Sequence, residues 1–292
     1  MDIVLALVAA LFFAFGTVLQ QRAGLEKPVS SEGAGLLVQM AKRPVWLAGI
    51  AADALGFLCQ AVALAIGRLA VVQPLLVSTV VFALPLGAKL TGQRVKRLDV
   101  GAALLVVVAL IAFLTIAEPS GGRDDAPLGQ WLATIGVCAA VCVPLVILGR
   151  FGSAPRRAAL LGTATGVLFA LSAALTKVVA DQFGDDLLGI FTHWQLYALV
   201  VVGYASMTLN QLALNTGALA PAVATALAFD PIASVLIGVT LLNESLHTTP
   251  LQIVGTVVAL GAALGGMAIL SRSRAQAEPP GQKPVEPTPA PA

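Results

Sequence analysis

Two aspartates interrupt otherwise apolar stretches of this chain, Asp53 within Val45–Gly67 and Asp230 within Leu219–Leu242. Each stretch is long enough to cross a bilayer, and each acid falls near its midpoint. A carboxylate at that depth costs about 2.5–3.5 kcal/mol on insertion scales, so it generally faces a cavity or a partner and marks a pathway. Two chemistries suit it. A carboxylate beside freed backbone carbonyls can hold a hard cation, which takes oxygen ligands. It can equally pass a proton, as acids in membrane relays do. Pro231 follows Asp230 directly, and its missing N–H is expected to loosen the preceding turn and free a carbonyl. The plain alternative is that each acid only bonds or caps a neighbouring helix.

The helices that carry these acids present small, polar faces. Gly49, Asp53, Gly56 and Gln60 share one face at helical spacing, and Ala222, Ala226, Asp230, Ser234 and Gly238 recur every four residues on the other. Small residues let backbones approach closely, which turns the acids into the bundle rather than toward lipid. Other polar side chains fall in apolar segments: Gln73, Pro74, Ser78, Thr79 and Pro85 in one, Asn210, Gln211 and Asn215 in another. Amide and hydroxyl groups there can coordinate or orient a solute. They can also simply join helices, at about 0.6 kcal/mol each. The sequence therefore nominates Asp53 and Asp230 as a cation or proton site, with Gln60, Ser78, Asn210 and Ser234 as secondary pathway residues. Gln20 and Gln21 read as markers of a membrane interface.

The elements that must position these residues are membrane helices. Of 292 residues, 58% are hydrophobic and 11% charged, against about 25% charged in soluble domains. Mean hydropathy is +0.91. Apolar runs of span length are expected at 2–21, 44–66, 69–90, 99–117, 129–149, 157–179, 194–215, 218–241 and 250–271, making nine spans in an all-α polytopic membrane protein. Ile3–Leu19 follows Asp2 rather than a basic cluster and exits into Gln20-Gln21-Arg22, so it reads as the first span and not as a cleaved signal. Residues 1–274 form the membrane domain. The tail 275–292 has six prolines in eighteen residues and is expected to be disordered and cytoplasmic.

Lysine and arginine set an expected orientation. With the N-terminus outside, fourteen of the seventeen basic residues fall in inner loops and the tail, and only Arg68, Arg123 and Lys177 fall outside. An odd number of spans, N-out and C-in, follows. Asp2, Glu118, Asp124, Asp125, Asp181, Asp185, Asp186 and Glu244 then lie outside, with His193 and His247. Such a mouth either concentrates cations or is an ordinary set of acidic loops.

The chain also resembles itself. FAFGTVLQ (Phe13–Gln20) lines up with FALSAALT (Phe169–Thr176), each followed by a polar connector that ends at a tryptophan, Trp46 and Trp194, and AVALAIGRLA (Ala61–Ala70) lines up with QLALNTGALA (Gln211–Ala220). Spans 1–4 (about 2–117) would match spans 6–9 (about 157–271), with span 5 (about 129–149) as a link. Equivalent spans would cross in opposite directions, the inverted repeat typical of transporters. Asp53 and Asp230 are not equivalent under this alignment.

No P-loop, HExxH or GxSxG occurs, so no enzyme, cofactor or nucleotide-driven pump is expected. Nucleic-acid binding has no support beyond basic loops that topology explains. Cys59, Cys138 and Cys142 sit in apolar segments as packing residues. The expected partners are an ion or small-molecule substrate and the lipid bilayer, with homo-oligomerisation open.

GTVLQQRAG (Gly16–Gly24), LAVVQPLLVSTVVFALPLGA (Leu69–Ala88), LNQLALNTGALAPAVATAL (Leu209–Leu227) and LLNESL (Leu241–Leu246) resemble the drug/metabolite transporter superfamily of EamA-like proteins, and within it the NIPA-type magnesium transporters. The resemblance covers nearly the whole chain through loose, apolar motifs. It implies a secondary transporter or facilitator of the cytoplasmic membrane, with Mg²⁺ as first substrate. Two departures stand out. Gln93-Arg94 occupies a place where that family often has an acid, while Glu244 is kept in the second half. The tenth helix of standard members is absent. A proton-coupled exporter of small metabolites or amino acids is the rival within transport, and a non-transporting membrane scaffold the rival outside it.

Overall fold

A computed structural model describes residues 1–26, 42–92, 95–185, 189–246 and 249–277. Gln93, Arg94, Lys27, Asp186, His247 and most of the Pro-rich tail lie outside these residues. Among the described residues the chain is almost wholly helical, with nine segments long and apolar enough to cross a membrane. In chain order these are α1 (Asp2–Glu26), α2 (Pro44–Ile66), the pair α3 (Leu69–Leu76) and α4 (Thr79–Thr91), α5 (Arg97–Ala117), α6 (Leu128–Leu148), α7 (Ala154–Asp185), α8 (Trp194–Leu214), α9 (Leu219–Thr240) and α10 (Pro250–Ala277). Nine spans were expected, and their placement agrees.

Several boundaries differ from the hydropathy reading, for identifiable reasons. The third span is broken. Val77 N–H and Ser78 N–H donate to Pro74 O (3.2 Å) and Leu75 O (3.0 Å), so a tight turn separates α3 from α4. Pro74 also leaves the Ala70 carbonyl without its helical donor. Pro231, expected to loosen its own helix, lies inside an unbroken α9. α7 has 32 residues, about 48 Å at the helical rise, against a hydrocarbon core of about 30 Å. Apolar run length underestimated it because both ends carry polar residues that remain helical. α10 continues to Ala277, so the first three residues assigned to the tail are helical. Finally, two connectors pair: β1 (Ser120–Gly121) lies antiparallel to β2 (Glu244–Ser245), Ser120 opposite Ser245.

Small residues set how the helices meet. A Cβ on Gly67 would meet Asp2, on Gly56 Phe13, and on Gly49 Gln20. α1 and α2 are therefore an antiparallel pair in constant register. α7 and α9 instead run parallel. Gly162 faces Ala222 and Thr225, and Gly166 faces Ala226 and Phe229, so two glycines one turn apart let α9 lie directly on α7. α5 and α10 form a second antiparallel pair, with Gly266 against Val106 and Gly255 against Ile116. The largest buried cluster joins α3 (Leu69, Val72, Leu75), α7 (Leu171, Leu175, Val178) and the far end of α9 (Ile237, Leu241). Trp131 and Trp194 meet edge to face in that region, 5.6 Å apart at 85°.

Candidate functional site

The helix faces nominated by spacing do face the bundle. Gly49, Ala52 and Gly56 are buried on α2. Gln20 Nε2 donates to Asp53 Oδ2 at 2.5 Å, and the Asp53 carboxylate fills the space that a side chain on Gly16 would need. Gln20 is thus the partner of the first acid and more than an interface marker. On α9, Ala222, Ala226, Ser234 and Gly238 are buried. Ser234, fully buried, donates from Oγ to Asp230 Oδ1 at 3.3 Å. The backbone of Asp230 packs on Gly166 of α7.

Each acid therefore engages its own helix pair, Asp53 the α1–α2 pair and Asp230 the α7–α9 pair. Among the described residues no hydrogen bond or ion pair joins them, and neither has a cationic partner. Ser78 sits in the break of the third span, where its Oγ donates to Leu75 O at 2.6 Å. Gln73, one turn earlier and 3% exposed, has an amide nitrogen without a hydrogen-bond partner. Gln60 and Asn210 are partly buried. No group of three or more His, Cys, Asp or Glu side chains is placed to hold a metal ion among the described residues.

A second polar centre lies at the end of the bundle that carries Asp2. A cavity of about 160 Å³ there is lined by Gly67, Arg68, Gly121, Arg123, Asp124, Lys177 and Glu244, among others. It touches neither Asp53 nor Asp230. Its side chains are occupied with backbone ends. Glu244, 2% exposed, accepts from the N–H of Leu69 (2.6 Å) and Ala70 (2.8 Å). It thereby caps α3 across the fold, where unpaired amides and the helix dipole favour an anion. Gly238 leaves room for this carboxylate, since a Cβ there would stand 2.5 Å from Oε2. Lys177, 7% exposed, donates to Leu64 O (2.9 Å) and Gly67 O (2.6 Å) at the opposite kind of helix end, the carboxyl terminus of α2. Arg68 Nε donates to Gly121 O at 3.1 Å. Arg123 Nε donates to Leu241 O at 3.0 Å, where α9 ends. Burial pushes the Glu244 carboxyl above its ordinary range, against the opposing pull of the Ala70 and Leu69 amides, Lys177 and Arg68.

This centre accounts for an anomaly of the sequence. Arg68, Arg123 and Lys177 are the three basic residues that violate the lysine and arginine partition, and all three line one cavity and cap backbone carbonyls. Two of the acids assigned to that end have partners inside the protein. Glu244 is buried on a helix end. Asp125 is committed to Trp131 Nε1, Gln195 Nε2 (both 2.8 Å) and the Ala126 amide (2.7 Å). Sequence reasoning missed this centre because its members lie far apart in the chain. The available signal was that three basic residues alone broke the partition of lysine and arginine.

Fold and polar centres together define a polytopic helical membrane protein with charged groups held inside its bundle. An uncharacterized protein of Corynebacterium glutamicum is 30% identical over 285 residues, covering 96% of this chain and 97% of its own. The chain belongs to the family of that protein. No family model matches it, and no solved structure does.

Proposed function

We propose that this protein is a secondary transporter or facilitator of the drug/metabolite-transporter type. In this reading it moves a small solute, first a divalent cation such as Mg²⁺, across the cytoplasmic membrane. The observation that carries the reading is the pair of mid-span carboxylates, each on a small buried helix face and each held, among the described residues, only by a neutral partner, Gln20 or Ser234. Buried charges are ordinarily paired, and two without a cation are suited to receive one or to exchange protons. The membrane potential supplies about 2.3 kcal/mol per charge per 100 mV, enough to drive a divalent ion inward without another energy source.

The reading includes two inverted repeats and an N-out, C-in orientation. Packing supports the repeats. α1 contacts α2 and the α3–α4 pair, as α7 contacts α8 and α9, and the last helices of the two halves, α5 and α10, pack on each other. The orientation rests on the basic residues, with the Asp2 end outside. Asp53 and Asp230 are the primary site residues, and Gln60, Ser78, Asn210 and Ser234 line the pathway.

A proton-coupled exporter of small metabolites is the second reading. It is favoured by the lack, among the described residues, of a cluster of three strong metal ligands. Proteoliposomes holding wild type, Asp53→Asn or Asp230→Asn test both readings. Mg²⁺ uptake under an inside-negative potential, lost in either variant, is the expected result. Wild-type flux that both variants retain refutes the site. No flux under the potential, together with pH-dependent solute efflux lost in Asp230→Asn, replaces the cation reading with the exporter.

A further inference from the structure

The broken third span and the charged centre beside it are parts of one device. α3 is only eight residues long. At its inner end the chain turns at Val77–Ser78 with hydrogen bonds to Pro74 and Leu75 that span one residue fewer than in the α-helix, the 3₁₀ pattern that within a helix often marks a hinge. At its outer end it is fastened by side chains from the other half of the chain. Glu244 holds the Leu69 and Ala70 amides, and Lys177 holds the Leu64 and Gly67 carbonyls just before them. Arg68 ties the same turn to Gly121 in β1, which pairs with β2. Between latch and hinge, Leu69, Val72 and Leu75 pack in one cluster with Ile237 and Leu241. Ile237 lies on α9 and Leu241 caps its end, both beyond Ser234 and Asp230. Further in, Leu227 of α9 joins the cluster of Val77, Val80 and Val81. α3 therefore lies along the outer half of α9, and the hinge falls alongside the stretch that holds Asp230.

We propose that α3 is the outer gate of this protein, a half-helix that swings on Val77–Ser78 and is latched shut by Glu244 and Lys177. The proposal rests on the transport reading of Asp230, because the gate matters as the cover of that acid. The latch is built from charge-assisted bonds to helix ends. Each is stronger than a neutral bond, yet each can exchange its partner for water when the turn moves outward. The latch crosses between the two halves, where a transporter of inverted repeats must part.

The test reads access and needs no flux. Cys59, Cys138 and Cys142 are replaced by alanine, and a reporter thiol is introduced by Ile237→Cys, a position 5% exposed under α3. A second reporter, Met267→Cys, 2% exposed on α10, monitors general loosening. Reaction with a membrane-impermeant maleimide is followed in purified protein in detergent. The latch is removed by Glu244→Gln, by Lys177→Met, or by Gly238→Ala, whose methyl group displaces the Glu244 carboxylate without changing any charge. Labelling at position 237 is expected to rise about tenfold or more in all three, the loss of one charge-assisted bond, with labelling at position 267 unchanged. No rise at position 237, or an equal rise at both positions, overturns the gate. If the gate pattern appears while wild-type protein carries no solute, the transport reading fails and the moving half-helix stands. If flux is present and labelling does not respond, the gate alone fails.

Discussion

Replacing Gly166 by alanine tests the packing that seats Asp230. A Cβ at this position would lie 2.6 Å from the Ala226 carbonyl oxygen, 2.9 Å from the Asp230 nitrogen and 3.0 Å from Phe229 Cβ. Ordinary contact begins near 3.4 Å, so α7 and α9 must part by about 0.8 Å at this turn. Two of the three obstacles are backbone and cannot move aside by rotation. Overpacking of this kind costs about 1–3 kcal/mol. It opposes a gain, because alanine is better than glycine in a helix by about 1 kcal/mol. The control is Gly136 of α6, where nothing lies within 4 Å of an added Cβ. Gly136→Ala should therefore be neutral or stabilising by up to about 1 kcal/mol, while Gly166→Ala should be destabilising by about 0–2 kcal/mol after the same offset. The two variants are expected to differ by about 1–3 kcal/mol. Equilibrium unfolding of purified protein in mixed detergent and dodecyl sulfate reads both midpoints on one scale. Equal midpoints for the two variants would refute the close α7–α9 contact and with it the placement of Asp230.

Two other perturbations separate local structure from the latch. Gln20→Leu removes the donor from Asp53 and should cost about 1–3 kcal/mol; a double-mutant cycle with Asp53→Asn in the same unfolding assay should give a coupling well above the 0.5 kcal/mol scatter expected of independent sites, and additivity would show that the bond carries no energy. The second is pH. Glu244, facing Lys177, Arg68 and Asp124 in its cavity, has its carboxyl raised by burial. A raised folded pKa gives stability that is complete below the unfolded value and is lost as pH rises through the folded one. Folding stability should therefore fall as pH rises from the ordinary carboxylate range through the raised value, read as a lower unfolding midpoint. Glu244→Gln should flatten that profile, and a wild-type profile already flat would refute the burial of the Glu244 carboxyl on the end of α3.

How much could be read from the sequence differs by the kind of information each feature needs. The spans and the two acid-bearing faces were legible because they depend on composition and on a period within one helix. Gly49, Asp53 and Gly56 share a face whatever packs on it. The Gln20–Asp53 bond was not legible, because it depends on the register between α1 and α2, which the small residues set only once the helices meet. Prolines show the same limit. Pro85, Pro144 and Pro231 lie inside continuous helices, while the span holding Pro74 breaks three residues later. A missing N–H permits a break, but the neighbours decide it, and at Pro74 the turn is rewarded by Ser78 bonding Leu75. The clasp of Glu244 on Leu69 joins residues 175 apart, beyond any local pattern. Its one trace was the trio of misplaced basic residues.

The asymmetry of the two acids can now be stated in terms of the helices that receive them. In the repeat reading α1 and α7 are the first helices of their halves. Asp53 reaches α1 from the second helix of its half, and Asp230 rests on α7 from the third. The donors differ, but the receiving element is the same: Gly16 leaves space for the Asp53 carboxylate, and Gly166 for the backbone of α9 at Asp230. Evolution of an inverted repeat needs no matched acids for such a result. It needs a first helix with one bare position facing the bundle, against which either neighbour can seat the turn that carries its carboxylate. On this account Asp53 sits in an antiparallel pair whose two ends are joined through one connector, whereas Asp230 sits in a parallel pair beneath a hinged half-helix. The second acid is the one whose exposure a conformational change can alternate, and the first is the one held in a fixed pair.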